Sequence, residues 1–161
     1  MKRFANLYYK LKSRSEPKER LEALIKYFTE APEKDRLWAI ALFTNRRPKR
    51  SIQIKTLKSW ANEFSGVPSW LFEKCYQEVG DLSETINLTL PVHESTADWT
   101  LSDCIEQIIK QRDADSEGKK KLIFKIWKNL RQGERFIFNK LITGGFRMSI
   151  MIRIPTSVRS S

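Results

Sequence analysis

Apolar positions recur every three to four residues along almost the whole chain, and that period predicts helices. Leu21, Leu24, Ile25 and Phe28 fall at i, i+3, i+4 and i+7. Pro17 stands where a helix can open on a residue without an N–H. In "APEKDRLWAIALF", Pro32, Glu33 and Asp35 suit a first turn, and the run Leu37 to Phe43 is apolar on all sides. A central, fully buried helix is expected there. "TLKSWANEF" and "VPSWLFEKCYQEVG" predict two more helices, the second entered by Pro68 and ended by Gly80. "DLSETINLTLP" opens with Asp81 and Glu84 at capping-box spacing and stops at Pro91. "TLSDCIEQIIKQR", "KKKLIFKIWKNLR" and "GERFIFNKLI" complete the set. No segment sustains alternation at period two, and there is no internal repeat. The expected fold class is all-α, a compact multi-helix bundle of irregular topology. The stretches 91–99, 113–119 and 155–161 are expected to be the least structured.

Length and composition narrow this picture. A chain of 161 residues is most simply one domain, able to bury roughly two-thirds of its unfolded surface. No apolar run approaches the about 18 residues that a membrane helix needs. The start, "MKRFANLYYKLKSR", has no apolar segment or cleavage site of the signal-peptide kind. Cys75 and Cys104 fit a reduced, cytoplasmic setting, and with only His93 beside them they cannot furnish a structural zinc site. Charge changes the picture most. The net charge is +11, yet Cys75 to Ile109 contains seven acids and no Lys or Arg, leaving +18 on the remainder. Cations segregated in this way are the footprint of a polyanionic partner.

Catalytic groups are scarce. His93 is alone, and neither a nucleophile motif nor a phosphate-binding GxxxxGK[ST] or GxGxxG loop occurs. Binding is better supplied, at three places. "TNRRPKRSIQIKTLK" carries Arg46, Arg47, Lys49, Arg50, Lys55 and Lys58 without an acid. A helix dipole explains Arg46 and Arg47 at the end of the preceding helix, but it acts only over about one turn. Lys49, Arg50 and Lys55 therefore need another reason, and phosphate is the expected one. In "KKKLIFKIWKNLR", Lys121, Lys125 and Lys128 share one face and Leu122, Ile123, Ile126 and Leu130 the opposite one. Such a stripe serves solvation and phosphate equally well. The third place is "KLITGGFR". Gly144 fits a left-handed cap, Gly145 frees the following backbone for close approach, and Arg147 adds a planar cationic fork.

At these residues the sequence resembles the N-terminal DNA-binding domain of bacterial ATP-dependent DNA ligases. The phrases that carry the likeness are "MKRFANLY", "ALIKYFTEAPEKDRLWAIALFTNRRPKR", "WLFEKCYQEVGDLSETI" and "ERFIFNKLITGGFR". They span most of 1–147, which would form the helical domain. The resemblance implies an all-helical fold that clamps double-stranded, nicked DNA without reading its sequence, in repair, replication or recombination. It implies DNA contact by the turn Thr143–Arg147 and, by pattern, by Arg46–Arg50. The family's ATP and Mg2+ act in catalytic domains whose K-x-D-G motif this chain lacks, so no cofactor is expected here. A separately encoded catalytic chain is the partner this would require, and the nucleoid its place in the cell. After Arg147 the sequence departs from the family, and 148–161 is expected to be a divergent, truncated tail. The alternative to DNA is a stand-alone helical module that meets an acidic protein.

Overall fold

Proline, glycine and a few capping side chains decide where the chain turns. The computed structural model describes residues 1–46, 48–49, 52–92 and 98–146. Among them nine helices and no strand occur: α1 (Lys2–Lys12), α2 (Pro17–Glu30), α3 (Glu33–Phe43), α4 (Ile54–Ser65), α5 (Ser69–Val79), α6 (Leu82–Thr89), α7 (Leu101–Lys110), α8 (Ser116–Asn129) and α9 (Gln132–Thr143). The all-α expectation is met. Pro17 is at the start of α2, and Gly66 and Gly80 end α4 and α5 with φ of 73° and 78°. Asp81 caps α6 by accepting the Glu84 amide at 2.8 Å.

Three expectations need correction. α1 was not among the predicted helices, although Phe4, Leu7, Tyr8 and Leu11 repeat at helical spacing and are all buried. α8 starts at Ser116, inside a stretch expected to be irregular, because Asp115 accepts the Gly118 amide at 2.8 Å and nucleates an earlier turn. The third concerns α3, which is not buried on all sides. Leu37 and Ile40 are 61% and 49% exposed, whereas Asp35, Ala39 and Leu42 are buried. The helix packs on α7, and through Phe43 on Phe4 and Phe28, while Leu37 and Ile40 face solvent. The α2 stripe is likewise narrower than its sequence: Leu24 and Tyr27 are buried, but Leu21 and Ile25 are exposed.

The central helix is α9. Glu134, Arg135, Ile137, Phe138, Asn139, Leu141 and Ile142 are all buried, against α6 above all and also α1. Two aromatic clusters flank it. Phe4 lies 6.0 Å by ring centroids from each of Tyr27, Phe43 and Phe146, while Phe64, Phe124 and Trp127 pack edge-on or stacked at 5.1 to 6.0 Å. Each such side chain removed from water contributes about 1.5–3 kcal/mol.

Polar groups inside the bundle are tied to helix ends. Arg135 is fully buried; its Nε donates to the Leu130 carbonyl at 3.1 Å and Nη2 to the Pro91 carbonyl at 2.7 Å. These carbonyls follow α8 and α6, so one guanidinium closes both C-termini, where a cation is favoured. Burial lowers its pKa from the usual arginine value. Trp127 donates to Asn139 Oδ1 at 2.8 Å, joining α8 to α9. Asp35 accepts both the amide and the hydroxyl of Ser102, joining α3 to the first turn of α7.

Replacing Arg135 by Ala should cost on the order of 2–4 kcal/mol, through the cavity left and the carbonyls stripped of a donor. Urea unfolding should show a lower midpoint at unchanged slope; a midpoint like that of the wild type would contradict this double closure.

Candidate functional site

Two glycines end α9 because the chain does two things there. Gly144 takes the left-handed conformation, φ 72°, and its amide reaches the Leu141 carbonyl at 3.3 Å. The Phe146 amide then returns six residues to the Lys140 carbonyl at 3.0 Å. That span is one residue wider than the usual glycine cap. Gly145 is the extra residue, and it is exposed. A Cβ there would sit 3.3 Å from Thr143 Oγ1 and 3.8 Å from Lys140 Cδ, so a side chain would crowd its neighbours.

Phe146 closes the turn from the other side. It is 1% exposed, with its ring centroid 6.0 Å from Phe4 and 5.6 Å from Tyr8. The diglycine backbone is thus pinned on α1. Thr143, half-buried, donates to the Asn139 carbonyl at 2.7 Å and shares a 3.3 Å hydrogen bond with Ser83 of α6. Lys140 forms an ion pair with Asp81, and its ammonium lies 5.3 Å from the Phe136 ring centroid. Arg147, the cation expected to complete this site, lies outside the described residues.

The basic run begins where α3 ends. Asn45 takes φ 63°, and the amides of Asn45 and Arg46 return to the carbonyls of Leu42 and Ala41 at 3.1 and 2.8 Å. This double bond pattern is the Schellman cap, with asparagine in the usual place of glycine. It leaves the Arg46 side chain exposed, as are Lys49 and Lys55; Arg47 and Arg50 lie outside the described residues. Lys58 is turned aside, pairing with Glu73 at 3.2 Å and lying 4.4 Å from the Tyr76 ring centroid.

On α8, Lys121, Lys125 and Lys128 are exposed, opposite buried Ile123, Ile126, Trp127 and Leu130. The Lys125 ammonium lies 6.0 Å from the Trp99 ring centroid. The structure does not gather all three candidate places equally. Ile52 from the basic run, Lys119, Leu122 and Ile123 from α8, and Ile142 from α9 line one small cavity. Ile52 of the basic run and Ile142, two residues before Gly144, therefore share a cavity at the first turns of α8. The stripe of Lys121, Lys125 and Lys128 leaves α8 by the face opposite Ile123, away from that junction. Lys140, which the sequence reading did not single out, is the lysine beside Gly145, and Lys119 lines the cavity. Lys119 stands on the apolar side of α8, a spacing that could have marked it in the sequence.

Charges elsewhere are differently disposed. A groove of about 630 Å³ runs beside α1 and α2, lined by Lys2, Arg3, Asn6, Lys10, Lys26 and Tyr27 among others, and it includes none of the candidate residues. No group of three potential metal ligands occurs among the described residues. No helix among them is long and apolar enough to cross a membrane.

An all-helical bundle with a braced diglycine turn after α9 and an exposed cationic segment after α3 is the architecture to which the family comparison speaks. Residues 1–154 match the family model described as DNA ligase N terminus. The chain belongs to that family, the N-terminal domain of ATP-dependent DNA ligases. Comparison with curated proteins finds no match.

Two predictions concern the turn. Phe146→Ala should destabilise the fold by about 3–5 kcal/mol, and Gly144→Ala by about 1–2 kcal/mol through the left-handed conformation alone. Denaturant titrations check both, and a neutral Phe146→Ala would mean that the turn does not rest on α1.

A further prediction rests on the Asp81 carboxyl. Partial burial pushes its pKa up, but the hydrogen bond from Lys140 and those from the Glu84 and Ser83 amides outweigh this, and the net shift is downward. A folded-state value below the unfolded one stabilises the fold above the usual carboxylate range, about pH 4. That contribution is lost as pH falls through the folded value. The difference in Tm between the wild type and Asp81→Asn should therefore shrink below about pH 4. A difference that does not vary with pH would remove the ion pair as its origin.

Proposed function

We propose that this chain is the duplex-gripping domain of an ATP-dependent ligase system and that it holds nicked double-stranded DNA without reading its sequence. The observation that carries the reading is the juxtaposition at the first turns of α8. An exposed glycine backbone is held firm by buried Phe146, and the run that shares a cavity with the end of α9, through Ile52 and Ile142, carries Arg46, Lys49 and Lys55, all exposed. Rigid backbone without side chains suits close approach to a sugar-phosphate ridge, and neighbouring cations suit its charge. A ligase must act at any sequence, so phosphate contacts and the degenerate minor groove are the appropriate target. The α8 stripe adds attraction at longer range.

The sealing chemistry lies elsewhere. Without a K-x-D-G lysine the chain has no residue to adenylate in the family's manner, so ATP and Mg2+ act through domains or a separate chain that carry that motif. Attachment to DNA then sets its place in the cell, with the nucleoid.

Gel-shift titrations with nicked and intact duplex test the reading. Log affinity should fall linearly with log salt, with a slope of about −0.9 for each phosphate neutralised. Joint replacement of Arg46, Lys49 and Lys55 by Ala should flatten that slope by about two to three and weaken unrelated sequences alike. No duplex binding at about 50 mM salt, where phosphate-driven binding is strong, would overturn the proposal. So would nick sealing by the purified chain alone, for the division of labour.

A further inference from the structure

The acidic segment and the diglycine turn meet at one place, the first turn of α6. Asp81 uses Oδ1 to cap α6 and Oδ2 to hold the Lys140 ammonium. Two residues later Ser83 shares its hydrogen bond with Thr143 at the base of the turn. The stem of Lys140 lies beside Gly145, with Cδ 3.8 Å from where a Cβ would stand. The Lys140 side chain is only 15% exposed, whereas that of Asp81 is 36% exposed. Among the described residues, the lysine beside the turn is therefore covered by a carboxylate that is itself partly exposed.

Resting on the duplex-binding reading, we propose that Asp81 is an internal stand-in for a DNA phosphate: it neutralises Lys140 and withholds that lysine from the duplex. A carboxylate and a phosphate offer an ammonium the same kind of partner, an anionic oxygen at hydrogen-bond distance. While Asp81 occupies the ammonium, Lys140 acts through its stem and its carbonyl, which shape the turn. Asp81 thus tunes the strength of the grip, and a moderate grip is what a domain that must release sealed DNA requires.

Asparagine is as good a helix cap as aspartate, so Asp81→Asn keeps α6 while removing the charge. Glutamine at position 140 keeps a stem against Gly145 and Phe136 without the ammonium. The experiment measures duplex affinity against salt for the wild type, Asp81→Asn, Lys140→Gln and the double variant. Asp81→Asn should bind more tightly, with a log–log slope steeper by about 0.9, the value for one added phosphate contact. The gain from Asp81→Asn should vanish in the Lys140→Gln background. An equal gain in both backgrounds would reduce Asp81 to simple repulsion of DNA and overturn the inference. A slope flattened by about one in Lys140→Gln alone would overturn it too, because Lys140 would already be spending its charge on phosphate. Duplex binding by the wild type with no response to Asp81→Asn sinks this inference alone. Absence of binding by both proteins sinks the duplex-binding reading together with it.

Discussion

The structure depends on enclosing α9 on nearly every side while satisfying the polar groups that go in with it. An isolated twelve-residue helix is marginal in water, so its stability has to come from packing. Here α6, α8 and α1 surround it, and Arg135 enters the interior with them. A buried guanidinium is costly unless its donors find acceptors. Nε and Nη2 find the carbonyls of Leu130, at the cap of α8, and of Pro91, in the segment that follows α6. One side chain thereby ties α9 to the segments that leave two other helices.

The candidate site inherits its shape from this enclosure. Because α9 is fixed, its C-terminal turn is fixed, and Phe146 extends the core one step beyond the helix into the aromatic cluster of α1. The exposed Gly145 backbone is thus rigid for reasons that lie entirely on its buried side. Charge is arranged on the same logic. Arg46, Lys49 and Lys55 are exposed on a loop and a helix start, while Lys58 and Lys140 are held by acids on α5 and at the start of α6. Counting lysines in the sequence overstates the free charge at the junction.

Much of this was legible in one dimension. Residue period announced the all-α class, Pro17, Pro68 and Gly80 placed helix ends, and Gly144 stands in the left-handed cap its position implied. The misses have physical causes. A uniformly apolar run at Leu37–Phe43 read as a central helix, but composition cannot say how many neighbours a helix will have; α3 has a packed face and an open one. The central role fell instead to α9, where Glu134, Arg135 and Asn139 are buried along with the apolar positions. Asp115 moved the start of α8 into an expected loop, since one side-chain cap outweighs a run of lysines and a glycine. The turn read as a phosphate site is well formed, while its expected arginine, Arg147, and the neighbours Arg47 and Arg50 lie outside the described residues.

By itself the sequence determined what is local: helix period, helix ends, the glycine conformation at α9 and the segregation of charge along the chain. Local signals suffice there because each depends on residues within one or two turns of one another. Only the tertiary structure decided which cations keep company. It brought Ile52, Lys119 and Ile142 to one cavity, set the Lys121–Lys128 stripe on another face, and gave Lys140 to Asp81, 59 residues away. Those pairings arise from how apolar faces of different helices fit together, and a face carries no record in its own sequence of the partner that will cover it.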